Sequence, residues 1–575
     1  MAADSTRTQT ESRIERLLQK DWTPYLIFAL PLLFLVLFLF WPLATTVLRA
    51  LSGPGFDIDL GNLSLENFNR FVTSPMYQRS LRNSFVVSVS SVVFASLIGL
   101  PMGYFVARVK MPFKNLFLSI GILPIIMPSF IGAFSWVILL GRQGIIRHFL
   151  NQIFMPLGIV IPSIYGLWGI IFAMSLTYFP FVFLLSYGAF SAANPMLEEA
   201  AMMMGARRPR IMRTITLPLV IPSLGAGAIL VFIRSMGNYG IPAILGGDQY
   251  VLPTLTYFRV TGFWDLNSAA AIAMVSVAIT GAALLLQKYV ISRREYETVS
   301  SSRSEQHLHT HWLARLIAVA YCTLVLIVAM LPNITIIIMS FFEQWRGLFP
   351  TGFTLENYLR IPRMVSSEIF NSLFLSITAS FITAVLGCMV AYITERRRPK
   401  GAVILDLAVM APFILPGIVV SVALLSAFSG DTVLPLGGTF MIILIAFVVR
   451  RTPYVFRSVV ASLTQLDETL EESSMIMGAN WLYTFRRVTL PLIMSGIIAG
   501  TILTFATLLQ ELSTTILLYS ARTRTVPVRI FSAVQDGYFG QGAALSVMLL
   551  VTVFIVVYAM NRMLGRSISS SFKLG

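Results

Sequence analysis

Residues Glu199 to Pro218 read EAAMMMGARRPRIMRTITLP, and Glu472 to Pro491 read ESSMIMGANWLYTFRRVTLP. Each stretch runs Glu, two small residues, three more, Gly, nine further residues, then Ile or Val, Thr, Leu and Pro. A spacing this specific, met twice in one chain, predicts an internal duplication with one such element per repeat. Glu, Ala and Met favour helix, so 194–204 and 467–477 are each predicted to form a short helix. Gly205 and Gly478 then permit a left-handed turn, from which a second helix leads into the next apolar run. Ala200 and Ala201, matched by Ser473 and Ser474, let the first helix seat closely against a partner.

What surrounds these elements is apolar. Of the 575 residues 56% are hydrophobic and only 12% charged, with a mean hydropathy of +0.79. A soluble domain keeps about a quarter of its residues charged. The apolar residues gather into runs of roughly 20, long enough to cross a hydrocarbon core of about 30 Å as helices. Backbone in lipid must satisfy its own hydrogen bonds, which leaves a helical bundle. The sequence therefore predicts an all-α polytopic membrane protein of about twelve spans. They fall near 24–48, 80–107, 115–140, 163–190, 214–236, 266–291, 312–341, 368–394, 402–428, 438–462, 488–518 and 540–564.

The net charge of +16 would suit nucleic acid, but its placement argues for membrane lipid instead. Basic residues sit in short loops: Arg108, Lys110 and Lys114; Arg207, Arg208, Arg210 and Arg213; Arg396, Arg397, Arg398 and Lys400. That is the positive-inside pattern, and it puts both termini and a polar linker, Ser292 to His311, on the cytoplasmic side. Met1 to Asp21 reads as a cytoplasmic tail before an uncleaved first helix, because the run that follows is too long for a signal-peptide core. Cys322 and Cys388 lie inside apolar runs without zinc-ligand spacing, as small buried hydrophobes do. His307, His309 and His311 alternate in the linker, where imidazoles are more often solvated than metal-bound.

The duplication reaches well beyond the two elbows. LENF at Leu65–Phe68 returns as LENY at Leu355–Tyr358, and Asn83-Ser84 as Asn371-Ser372. Gly99 and Tyr104 return as Gly387 and Tyr392, Pro124 and Pro128 as Pro412 and Pro416. Six spans per repeat is an even number, so both halves enter from the same side, related by an axis along the membrane normal. The predicted division is a first half over 1–291 with its elbow at 194–218, a cytoplasmic linker over 292–311, and a second half over 312–575 with its elbow at 467–491.

The elbows resemble the EAA signature of binding-protein-dependent ABC importer permeases: E-A-A, three residues, G, nine residues, I-x-L-P. The first copy matches every defined position; the second differs at Ser473, Ser474 and Val488. The resemblance implies a type I importer permease of the bacterial inner membrane, with its two halves fused. It implies that each elbow docks on an ATPase subunit and transmits its closure. Glu199, Ala200, Ala201 and Gly205, with Glu472, Ser473, Ser474 and Gly478, would then be the coupling residues. No G-x-x-x-x-G-K-[ST] loop occurs in the chain, so nothing here cradles a nucleotide's phosphates. ATP and Mg are accordingly expected on two separate ATPase subunits, no cofactor is expected on this chain, and the chain itself is not expected to be an enzyme. A periplasmic or lipid-anchored substrate-binding protein is the other implied partner.

SMGNYGIPAILGG (Ser235–Gly247) and LLQELSTTILLYS (Leu508–Ser520) are similar to segments of the ferric-iron permeases. The implied substrate is ferric iron, free or anion-chelated; permeases for phosphonates, sugar phosphates and polyamines carry related segments. Polar residues at membrane depth are costly and so are functional candidates: Arg234, Asn238, Tyr239, Arg450, Arg451 and Glu511. Arg450 and Arg451 stand where the first half has Thr177 and Tyr178, and Glu511 stands where it has Asn238. Either the arginines draw an anion into the path with Glu511 balancing them, or these charges fix helix packing and snorkel to an interface. An ion-coupled secondary transporter would need no elbows, and a membrane-embedded enzyme would need a cluster of catalytic His, Asp or Ser that the sequence does not display.

Overall fold

A computed structural model describes residues 23–53, 61, 63–193, 195–287, 311–344, 349–399, 401–430, 432 and 434–564. Lys400 and nearly all of the predicted linker, with His307 and His309, lie outside the described residues. Apart from a two-stranded ribbon, Phe342–Gln344 against Thr351–Phe353, the described regular structure is helical.

Among the described residues nine helices are long and apolar enough to cross a membrane: Phe28–Leu51, Pro75–Arg108, Leu167–Ala192, Pro209–Met236, Leu266–Leu286, Trp312–Ser340, Ser366–Arg397, Trp481–Leu508 and Phe539–Ala559. Two expected spans are broken rather than continuous. The third is Lys114–Ile126 and Ser129–Leu140, meeting at 96°. Pro128 forces the break: it cannot donate into the helix, and it pushes Met127 to an extended conformation with ψ 132°. The ninth breaks likewise before Gly417, at Pro416. The tenth expected span is the helix Phe440–Leu463; every 18-residue stretch of it contains Arg450, Arg451 and Arg457. With it, the twelve spans of the sequence reading are all present as helices or helix pairs. The eleventh, expected to reach residue 518, ends at Leu508 and gives way to the short helices Thr515–Leu518 and Val526–Gln535. The first half does the same with Gly240–Leu245 and Leu252–Phe263.

The chain divides into two compact units. The larger takes in Pro42–Ser376, Ile414–Ala446 and Ala506–Gly575, and so contains the first elbow; the smaller takes in Met1–Trp41, Ile377–Phe413 and Phe447–Phe505, and contains the second. The repeated motifs make repeated geometry. In the larger unit Asn67 donates from Nδ2 to the carbonyls of Ala50 and Ser52, and Asn357 to those of Ser340 and Phe342, so each LEN segment ties off the preceding span. Gly99 sits so close to the fourth span that a Cβ there would lie 2.8 Å from Phe179 O and Phe183 N. In the smaller unit a Cβ on Gly387 would lie 2.9 Å from Val455 Cβ and 3.0 Å from Phe456 N. A small residue lets the two helix backbones touch, which is how helices associate where no water is displaced. Cys322 and Cys388 are buried free thiols, and His311 caps the span Trp312–Ser340 by accepting from Leu313 N–H.

Candidate functional site

The first elbow begins with the helix Pro195–Met203, where proline at the first position costs no intrahelical bond. It ends in a 6→1, 5→2 pair of hydrogen bonds. Ala206 N–H donates to Ala201 O and Gly205 N–H to Met202 O, both at 2.9 Å, with Gly205 at φ +81°. The second elbow repeats this with Thr469–Ile476. Ala479 N–H donates to Ser474 O at 3.2 Å and Gly478 N–H to Met475 O at 3.0 Å, with Gly478 at φ +90°. No atom lies within 4 Å of where a Cβ would stand on either glycine, so backbone conformation and not crowding calls for Gly. Asp467 starts the second helix by accepting from Thr469 N–H at 3.0 Å. Hydrogen bonds from the backbone and side chain of Thr469 hold its carboxyl below the usual carboxylate range.

After each glycine a four-residue helix passes into a wide π-turn, Met212–Thr216 and Phe485–Thr489, just ahead of Leu217-Pro218 and Leu490-Pro491. A proline ring crowds the carbonyl four residues back, and the widened turn moves that carbonyl aside. The turn leaves Thr216 and Thr489 buried.

Facing these threonines are carboxylates that the motif reading passes over. Glu198, one residue before the signature glutamate, accepts at Oε1 from Thr216 Oγ1 at 3.0 Å and from Arg108 Nη2 at 3.2 Å. Arg108 also donates to Ala193 O, at the end of the fourth span. In the smaller unit Glu471 Oε1 accepts from Thr489 Oγ1 at 2.8 Å and lies 3.5 Å from Arg396 Nε, while Arg396 donates to Leu466 O at 2.7 Å. The charge pattern reads Arg108 and Arg396 as loop cations; their side chains are instead 3% and 8% exposed. Each closes the last turn of the second or eighth span, where a cation suits the helix dipole, and each glutamate lies in the first turn of its elbow helix, where an anion does. The signal was available: both copies read Glu-Glu, and Arg108 and Arg396 stand in the same register as Gly99 and Gly387.

The predicted coupling residues lie on the outer side of this anchor. Glu199, Ala200, Glu472 and Ser473 are exposed, Ala201 is half-buried, and Ser474 is buried with Oγ 2.9 Å from Thr484 Oγ1. At the elbow tips Met203, Met204, Ile476 and Met477 are 83% to 89% exposed. Paired apolar side chains at the head of a polar loop form a surface that a partner can cover, and methionine adapts to it well.

The predicted path residues fall into two places. In the larger unit Asn238 sits at the break after the fifth span, where Nδ2 donates to Tyr178 OH at 2.6 Å and to Ser129 Oγ at 3.0 Å. Its Oδ1 accepts from Ile241 N–H, which caps the short helix Gly240–Leu245. Glu511 does the same at the break after the eleventh span, its Oε1 accepting from Thr514 N–H and Oγ1 at 3.1 Å. Tyr239 is packed between the rings of Tyr257 and Phe531, and Arg234 is half-buried. In the smaller unit Arg450 is half-buried, and Arg451 is buried with Nη1 3.2 Å from Tyr454 OH. Tyr178 and Asn238 correspond in the repeat to Arg451 and Glu511, so the second half carries one charge of each sign where the first has a neutral hydrogen-bonded pair. Among the described residues no group of three or more His, Cys, Asp and Glu could hold a metal ion.

A duplicated bundle of membrane-length helices, with a matched pair of anchored elbows, defines a multi-pass transport subunit of the inner membrane. The chain belongs to the family "Binding-protein-dependent transport system inner membrane component", whose model matches it twice, over residues 99–296 and 383–570. It is thus a fused permease of an ABC importer that works with a substrate-binding protein. The ferric transport system permease protein FbpB of Actinobacillus pleuropneumoniae is 28% identical over 497 residues, covering 85% of this chain and 71% of that one. A Salmonella paratyphi A protein named as a 2-aminoethylphosphonate transport system permease, PhnV, is 28% identical over 41% of this chain and 89% of its own. Among solved structures, a bacterial ABC transporter involved in the import of the acidic polysaccharide alginate superposes on 49% of this chain and 100% of that chain, with 18% identity and a TM-score of 0.40.

Proposed function

We infer that this permease carries ferric iron, free or anion-chelated, and is driven by two separate ATPase subunits, one at each elbow. The observation that carries the ATPase assignment is the pair of matched apolar tips, Met203 with Met204 and Ile476 with Met477, each presented by an identical glycine turn. The iron assignment is supported by the relative named for ferric transport, whose likeness extends over 85% of the chain. In this reading the elbows and both termini face the cytoplasm, and the binding protein delivers its cargo to the opposite face. ATP and Mg stay on the motor subunits, and Glu199 and Glu472 mark the docking faces. Closure of the motors tilts the elbows and opens the path outward; hydrolysis resets it. Arg450 and Arg451 attract the anionic ligands of the ion, and Arg234, Asn238, Tyr239 and Glu511 come to line the path as the helix breaks open.

The test is uptake into vesicles containing the permease with the ATPase and binding protein that co-purify with it. Radioactive iron should accumulate only with ATP, and less in Arg450→Ala and Arg451→Ala variants. Accumulation of a phosphonate without iron would replace the substrate, and full-rate transport by the chain alone would remove the motor.

A further inference from the structure

Each elbow holds one carboxylate that is shielded from water and shared between elements that must move together. Glu198 bridges three of them: the elbow helix that bears it, the end of the second span through Arg108, and the start of the fifth through Thr216. Arg108 adds the fourth span through Ala193 O. Glu471, Arg396, Thr489 and Leu466 O repeat these three contacts at the matching repeat positions in the other unit, with Arg396 Nε 3.5 Å from Glu471 Oε1 as an ion pair. A salt link used only to fill space would not need to be rebuilt with a guanidinium and a threonine hydroxyl gathered at one carboxylate oxygen. A rigid joint between lever and spans would.

We propose that Glu198 and Glu471 are positioning residues for transport: with Arg108–Thr216 and Arg396–Thr489 they lock each elbow helix to three spans, so that a push on the tip moves the helices overhead. Without the lock the elbow still carries its docking tip, but it swivels about the glycine turn and the stroke is lost. The proposal rests on the coupling role of the elbows and adds the residues that convert docking into movement.

The experiment compares iron moved per ATP hydrolysed, in vesicles containing the permease, its co-purifying ATPase and its iron-loaded binding protein. Glu198→Gln with Glu471→Gln keeps the size and the threonine hydrogen bond but removes the charge. Iron per ATP is expected to fall at least tenfold while the ATPase stays attached. The exchanged pair, Arg108→Glu with Glu198→Arg, is expected to recover a large part of the ratio over Arg108→Glu alone. An unchanged ratio in the double glutamine variant overturns the proposal, and so does a parallel loss of attachment and turnover that the exchanged pair does not recover. Tip variants read the underlying assumption separately: if Met203→Asp with Met204→Asp leaves the ATPase bound, the docking reading has failed rather than the lock.

Discussion

The two elbows share an anchor and differ in what braces it. In the larger unit Glu198 is met by Arg108 and Thr216. In the smaller unit Glu471 is met by Arg396 and Thr489 and also accepts from Tyr392 OH at 3.2 Å, whose oxygen in turn accepts from Trp481 Nε1 at 2.8 Å. Arg396 has a second carboxylate, Glu468, at 3.1 Å, and Trp481 stacks on Phe485 with Arg397 above it. Where the second copy has Trp481 and Tyr483, the first has Arg208 and Arg210. Both copies have the joint while its surroundings differ. Among the described residues the carboxylate of the first elbow has fewer partners, which makes that elbow the one expected to dislodge first.

The comparison breaks most visibly at the arginines. Arg108→Ala leaves a buried carboxylate that, among the described residues, has the Thr216 hydroxyl to satisfy it, an arrangement that costs about 3–5 kcal/mol. Arg396→Ala leaves Glu471 with both Thr489 and Tyr392, so its cost should be smaller. Thermal unfolding of the purified protein should show the larger drop for Arg108→Ala; equal drops would mean that the aromatic brace contributes nothing. The glycine turns should not distinguish the halves. Gly205→Ala and Gly478→Ala each place a Cβ in open space at positive φ, a strain of about 1–2 kcal/mol, and their melting curves should shift alike. A clear difference would show that the two turns are not equivalent.

The smallest effect is at Asp467, which is fully exposed and accepts from Thr469 N–H at the start of the second elbow helix. Its folded carboxyl lies below its ordinary value of 3.8. Its stabilising contribution is therefore fully present above that value and is lost as pH falls through the folded one. Asp467→Ala should lower the melting temperature slightly at neutral pH and by less in acid. A deficit that persists unchanged in acid would mean that the charged cap is not its source.

The architecture was legible because its signals are local and repeated. Runs of roughly 20 apolar residues and the Asn, Gly and Pro positions shared by the halves mark twelve spans before any coordinates are seen. The breaks were less legible. Pro124 and Pro128 are visible in the sequence, but prolines occur inside unbroken helices here too, as at Pro101 and Pro180. What sets Pro128 apart is the extended backbone of Met127 before it, which the sequence does not display. The elbow's outline could be read from Gly205 and Gly478, yet its anchor could not. Arg108 and Glu198 are 90 residues apart, and a basic residue at the end of a span looks like a solvated loop cation until the fourth span is seen to close over it. Asn238 and Glu511 were read as path residues on polarity alone; their first task in the fold is to cap the short helices that follow them.

If each of the two elbows holds one motor, native mass spectrometry of the complex in detergent counts them directly. The account predicts two ATPase chains on the parent permease. It predicts one on Met203→Asp with Met204→Asp, one on Ile476→Asp with Met477→Asp, and none when all four are changed. Two ATPase chains retained on the fourfold variant would contradict it.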